Sequence, residues 1–469
     1  MGRVLSEDDI DRIADAAFDI LQTVGFIADN ERALSLLHDA GCTVDRGAKR
    51  ALMPRDVAER LIATCPATFR IGSQTGDVME VGEGHPSRFW SGNALNVISG
   101  GDLRAFDRAS LARFVRVLDA LPTVSGVVGT SASDVPPGAM GVATMKVLAE
   151  NTGKHLRPVA FTADELDGFA AIGDVLLDGR SYAENPLYSV GFSVTSPLNW
   201  TAKALTVFER TSGKGIPCTV NGEPMAGGTS PVTIAGTLAS ATAEVIAGAA
   251  IVQLFEPGRP TFFNVGFAHV MDMRTAVALS SGPECSVVQA AGADLARRFG
   301  MPSVSWVSSD AMLADAQAAY EHTLQILAHA TAGVSVVWGV GQLEAQRALS
   351  PELAVIDDEI IAGVSRLTRG ISVDADTIAL DAIKDVAVNG GDFLTHAHTL
   401  DHFREALAVG DLMNRDRYAA WADRGRRTLA GRAAARAEDL ADRPAAHLSD
   451  DQRHELVRIE EAFIRQAGA

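Results

Sequence analysis

Residues 302–322, PSVSWVSSDAMLADAQAAYEH, hold a short apolar run with one large aromatic, Trp306, that stops at Ser308, Ser309 and Asp310 before a helical pattern begins. This reads as a strand, a polar loop and a helix in succession. Where parallel strands end and helices begin, α/β architectures collect their functional groups, so Trp306, Ser308, Ser309 and Asp310 are candidate site residues.

The same pattern recurs along the middle of the chain. Strands are expected at 89–93, 124–131, 158–162, 188–194, 216–221, 261–265, 303–307 and 334–338, with helical segments such as 110–121, 165–177, 202–211, 283–299 and 315–331 between them. Eight such units fit an α/β fold of the TIM (β/α)8 barrel type; a doubly wound sheet would call for a GxGxxG turn or a phosphate loop, and neither occurs. The expected organisation is an N-terminal helical cap over residues 1–86, the barrel over 87–341 and a C-terminal helical extension over 342–469, packed on the barrel or on a partner subunit. In the cap, Ser6 and Asn30 read as helix N-caps, and Ser449 and Gln452 form a capping box before the last helix. Residues 231–255 are almost wholly apolar, but the interspersed Thr233, Thr237, Ser240, Thr242 and Glu244 favour a buried helix against a sheet or a subunit interface over a membrane span.

Composition narrows the function. The chain of 469 residues is 47% hydrophobic, 6% aromatic and carries a formal charge of −18. That charge opposes non-specific nucleic-acid or anionic-membrane binding and is compatible with a cationic substrate. Four cysteines lie far apart with no CxxC pair and no Cys/His cluster, so no metal site is expected. No apolar run precedes Glu7, so no secretory signal is read and a cytoplasmic protein is expected.

The predicted strand ends supply Trp90, Asn93, Phe192, Glu223, Trp306, Ser309, Asp310 and Trp338, a mix of aromatics and polar groups. Trp90, Phe192, Phe267, Trp306 and Trp338 either pack the barrel or surround a quaternary ammonium, which has no N–H to donate and is held by ring faces and carboxylates. The turn 221–233, NGEPMAGGTSPVT, opens the apolar helix with Thr229 or Ser230 as N-cap and Pro231 at the first helical position. The loop 269–275, HVMDMRT, offers His269, Asp272 and Arg274, with Glu284 beyond; Asp272 and Arg274 either pair with each other or meet substrate. His396 and His398 read as loop residues, not a helical metal pair.

These motifs also carry a resemblance. Asp315-Ala316-Gln317-Ala318-Ala319-Tyr320-Glu321, MAGGTSPVT at 225–233, MDMRT at 271–275, Trp338-Gly-Val-Gly-Gln and DFLTHAHTL at 392–400 resemble segments of the trimethylamine methyltransferase family. Archaeal members carry pyrrolysine where Ala316 stands, so the chain resembles the branch lacking it. The resemblance implies a corrinoid-dependent methyltransferase that takes a methyl from a quaternary amine such as glycine betaine and gives it to the Co(I) of a corrinoid (cobalamin) on a partner protein. It binds no cofactor of its own on this reading. Asp310, Ala316 and Gln317 are then the catalytic candidates, and Trp90, Asn93, Phe192, Glu223, His269, Arg274, Trp306, Ser309 and Trp338 the substrate-binding ones. The apolar helix and the C-terminal helices suggest a homo-oligomer. A non-catalytic sensor of betaine-like ligands and a metal-dependent barrel lyase or hydrolase stand as alternatives.

Overall fold

The computed structural model describes residues 4–407, 410–444 and 447–468. Eight parallel strands form its centre: β1 (Arg88–Ser91), β2 (Val124–Val128), β3 (His155–Arg157), β4 (Val190–Ser193), β5 (Cys218–Asn221), β6 (Thr261–Asn264), β7 (Val304–Trp306) and β8 (Val336–Val340). They make two parallel sheets, one of five strands in the order β3-β2-β1-β8-β7 and one of three in the order β4-β5-β6. Single parallel bridges, Leu156 to Tyr188 and Phe263 to Ser303, run between the end strands of the two sheets. A helix follows every strand, from Arg108–Ala120 after β1 to Pro351–Thr368 after β8. The fold is thus mixed α/β with parallel strands and their crossover helices.

Period-2 alternation splits each strand between two environments. Phe89, Val127, Leu156, Val190, Val220, Phe263 and Val337 join the large apolar core beneath the helices. Trp90, Val128, Phe262, Val304, Trp306, Val336 and Trp338, from five strands of both sheets, pack on one another in a separate inner cluster.

The third strand differs from the expected 158–162. It is His155–Arg157, and Pro158 ends it because proline has no N–H to give to a ladder. The expected helix start at Pro231 is also displaced: Thr233 is the N-cap of Ile234–Phe255, while the Thr229 hydroxyl accepts from the Met225 amide at 2.8 Å inside the preceding turn. That helix is long and apolar enough to cross a membrane by composition, yet 89% of its apolar window is buried inside the molecule. The reason is visible in its neighbours. Helices Glu7–Thr23, Glu31–Ala40 and Arg55–Ile62 cover one side while β5 and β6 lie on the other, so beyond its first turn the helix is buried all round. The cover is therefore intramolecular, and this helix offers no subunit interface.

Ser6, Asn30 and Ser449 cap their helices as expected, and Gly41 closes the second helix in the left-handed conformation at φ 109°. The first 86 residues are more than helices. Short strands Phe26–Ala28, Thr43–Asp45 and Arg50–Leu52 form a sheet that Asn199–Trp200 joins in parallel, and a hairpin of Thr68–Gly72 and Val78–Gly82 sends Phe69, Ile71 and Val81 into the inner cluster. Phe69 meets Phe262 at 4.6 Å between centroids. The stretch from 342 is not helical throughout, since Gln342–Leu343 and Ala348–Leu349 pair with each other, and the second with Asn96–Ser99, before the helix Pro351–Thr368; further on, His396 caps the helix Ala397–Ala406 by accepting from the His398 amide.

Candidate active site at the strand ends

The inner cluster is lined by large rings because three tryptophans fall on inward-facing strand positions. Trp306 and Trp338 are register partners on β7 and β8, and both are buried. Phe267, three residues past β6, lies 4.3 Å from Trp306 and 5.4 Å from Trp338 between centroids. Trp90 stacks on Trp338 at 6.0 Å and on His155 at 4.7 Å, and is fully buried. Gly126 on β2 leaves the room for it, since a Cβ there would fall 2.7 Å from the indole. His269 meets Trp306 edge-on at 5.7 Å and is held by Gln346, whose side-chain amide lies 2.8 Å from its Nε2.

Phe192 is the exception among the predicted rings. It pairs in register with Val220, and both face the helices; the inward residue at that end of β4 is Ser193. Phe192 therefore lies outside the ring cluster, with the Lys203 amine 5.3 Å from its centroid.

Polar groups cluster at the same end. The last residues of β4, β5 and β6 are Ser193, Asn221 and Asn264, joined by Asn264 donating to Asn221 at 2.9 Å and Asn221 to Ser193 at 3.3 Å. Glu223, just past β5, has its pKa raised by burial, while the nearby His269 and a hydrogen bond with Ser193 act to hold it down. Arg157, the last residue of β3, lies with its guanidinium carbon 5.2 Å from the Trp338 ring centroid.

The loop after β7 is tied by one carboxylate. Glu321 accepts from the Ser309 hydroxyl at 2.6 Å and the Asp310 amide at 3.0 Å through one oxygen, and from the Gln317 side chain at 2.9 Å through the other. The Asp310 carboxylate accepts from the Ser280 amide and hydroxyl, both at 3.0 Å, and from the Ser281 hydroxyl at 2.5 Å. It binds two strand-end loops to each other. Asp315 is the N-cap of Ala316–Ala332, accepting from Gln317 and Ala318 amides, so Ala316 and Gln317 sit exposed on its first turn. Asn93 is exposed, and its carbonyl accepts from Gln342 at 2.8 Å.

Arg274 departs from its expected position. Its side chain is 89% exposed on the hairpin of His269–Asp272 and Val277–Leu279, where it pairs with Asp272 at 3.1 Å and holds that carboxyl down to about 2. Of the two readings of this pair, the geometry favours the one that orders the loop. Among the described residues, no three His, Cys, Asp or Glu side chains converge as a metal-holding group.

The family model for trimethylamine methyltransferase (MTTB) matches residues 2–467. The chain belongs to the trimethylamine methyltransferase family. It is 28% identical over 451 residues to the trimethylamine methyltransferase MttB2 of Methanosarcina mazei, covering 93% of this chain and 90% of that one. To the glycine betaine methyltransferase of Desulfitobacterium hafniense it is also 28% identical, over 426 residues, covering 89% and 88%. Among solved structures, a hydroxylamine complex of MtmB aligns with a TM-score of 0.49 at 12% identity, over 100% of this chain and 95% of that one.

In this chain the Asp-x-Gln-Ala segment is a capped first helical turn, and the Met-Asp-Met-Arg-Thr segment runs from the end of one hairpin strand into the turn. Two residues of this strand-end region carry little local signal in the sequence. Glu321 stands inside the quoted motif, and its spacing of eleven and twelve residues from Asp310 and Ser309 gives no local signal. Arg157 was hidden by the misplaced third strand, although a basic residue just before a proline at a strand end was the available sign.

Proposed function

We propose that this chain transfers a methyl group from a quaternary amine, of the betaine class, to the cobalt of a corrinoid held on a partner protein. The observation that carries the reading is the convergence of Trp306, Trp338 and Phe267 beside Glu223 and His269 at the carboxyl ends of the strands. Membership of the methyltransferase family and similarity to a named glycine betaine methyltransferase support it. On this reading the rings hold the trimethylammonium group through their faces and Glu223 contributes negative charge. The corrinoid, when its carrier docks, supplies the nucleophile that accepts the methyl group. The N–CH3 bond breaks with its electron pair returning to nitrogen, so the product leaves as a neutral tertiary amine and no acid or base on the chain has to move a proton. The task of the chain is placement: one methyl aimed out of the strand ends, water kept from the rings.

The rim suits a docking surface. Val232, Met273, Val277, Met312, Leu313 and Tyr320 are exposed on the segments that follow the strand ends, apolar surface of the kind a contact site uses. We read the two sheets with their bridges as one closed (β/α)8 barrel, the first 86 residues as its cap and the residues after 341 as an extension that joins copies of the chain into a homo-oligomer. A cytoplasmic location fits the four free, buried cysteines.

Calorimetric titration tests the cation site. Wild-type chain should bind at least one of glycine betaine, proline betaine and carnitine, and Trp306→Ala should weaken that binding by about 1–2 kcal/mol, the scale of a desolvated cation–π contact. Unchanged affinity in the variant would remove the ring cluster as the site.

A further inference from the structure

Arg157 is a buried cation without a counter-charge. It is 5% exposed, and its one hydrogen bond runs from Nη1 to the Pro158 carbonyl at 3.0 Å, while its Nε has no partner. No described Asp or Glu pairs with it; burial lowers its pKa to about 10, which leaves it charged at neutral pH. An isolated buried guanidinium is costly, and proteins keep one where an anion is to be met. The neighbouring strand makes space for it: a Cβ at Gly191 would lie 2.8 Å from Arg157 Nη2. Other unpartnered donors stand close by. The same point at Gly191 is 2.8 Å from the Thr219 Cβ, whose hydroxyl is unpaired, and the indole N–H groups of Trp338 and Trp90 are buried and unpaired as well. The guanidinium, the Thr219 hydroxyl beside Gly191 and the N–H of Trp338, whose ring the guanidinium overlies, are thus three buried donors with partners still to be met.

Trp338 is also the link to the cation site, since the Arg157 guanidinium lies 5.2 Å and Phe267 5.4 Å from its ring centroid, and Trp306 is its register partner. We propose that Arg157 receives a carboxylate of the substrate and is the residue that restricts this chain to zwitterions, quaternary amines bearing a carboxylate a short spacer from nitrogen. The proposal rests on the methyl-transfer reading for the cation and on the unpaired donors for the anion. A fixed positive charge one indole away repels a simple quaternary cation such as choline unless the ligand brings its own negative charge. The spacer is short because a single indole touches both subsites.

The test uses the full chain, as wild type, Arg157→Met and Arg157→Lys, titrated with three probes: glycine betaine, choline, which lacks the carboxylate, and 3,3-dimethylbutanoate, which keeps the carboxylate and replaces the ammonium by an uncharged tert-butyl group. Wild type should prefer glycine betaine to choline by at least about 30-fold, the worth of a charge-assisted hydrogen-bonded pair. Arg157→Met should weaken glycine betaine and 3,3-dimethylbutanoate by a similar factor and leave choline unchanged or tighter; Arg157→Lys, which keeps the charge, should lose less and guards against a folding defect. Choline binding wild type as tightly as betaine, equal losses for all three probes, or no binding of either carboxylate would overturn the proposal. Arg157-dependent binding of 3,3-dimethylbutanoate without turnover of any quaternary amine would keep the anion site and remove the methyl-transfer reading. Turnover indifferent to Arg157→Met would do the reverse.

Discussion

Phe192 and Ser193 are neighbours in the chain and face opposite ways, and that one-residue difference decides which of them can touch a ligand. Phe192 packs under the helix layer, so Phe192→Ala should cost stability, about 2 kcal/mol for a half-buried ring, with betaine affinity unchanged within about twofold. Denaturant titration and calorimetry on one preparation check both halves; a loss of affinity with stability intact would move Phe192 into the site. The sequence was legible for Trp90, Trp306 and Trp338, because a tryptophan in a short apolar strand is conspicuous, and all three fall in one cluster. It was silent on which face Phe192 takes, since an apolar run buried on both sides carries no alternation to fix the register. Arg274 reads as a site cation for want of any signal that it stands in a hairpin turn exposed to solvent.

Elements were legible where caps and proline speak. The helices at Glu7–Thr23, Glu31–Ala40, Glu165–Leu177 and Asp450–Ala467 follow their caps and periodicity closely, whereas β3 was placed three residues late because the apolar run after Pro158 outweighed the proline itself. The short strands of the first 86 residues were missed, being three-residue pieces stabilised only by tertiary pairing. Helix Ile234–Phe255 carries a measurable consequence of its burial. Glu244 accepts from the Leu198 amide at 2.8 Å and the Ser196 hydroxyl at 2.9 Å, and burial, the largest influence, lifts its pKa from 4.5 to about 7. Between those values the folded chain keeps a proton that the unfolded chain has released, so this group's contribution to stability falls as pH rises from 4.5 through 7 and then levels. Glu244→Gln removes the slope. Unfolding free energies of variant and wild type should differ little near pH 5, and the variant should gain up to about 3 kcal/mol by pH 8; a difference that does not change with pH would contradict the assignment.

At the scale of the molecule, the two ends of the chain treat apolar surface differently. The amino-terminal helices cover the apolar helix of the core, while residues 371–407 expose Ile371, Val373, Leu380, Val388, Leu394 and Leu400, with Ile371 and Leu394 each 81% exposed. A second copy of the chain should cover that arm. Light scattering at micromolar concentration should give at least twice the monomer mass, and Leu394→Glu with Leu400→Glu should return the monomer; a wild-type monomer would leave the arm unexplained by self-association. The eight-unit alternation was legible from the order of apolar residues, because strand and helix periods differ, but the meeting of β3 with β8 side chains across the centre depends on long-range packing that no local pattern encodes. The central claim, methyl transfer from a quaternary amine, is tested most directly by turnover. Glycine betaine carrying one 13C label per methyl, incubated with this chain and a reduced corrinoid protein, should yield dimethylglycine that has lost one labelled methyl, with trimethylamine untouched under the same conditions. Tight binding of betaine with no dimethylglycine formed across several corrinoid partners would contradict the account and leave the chain a sensor.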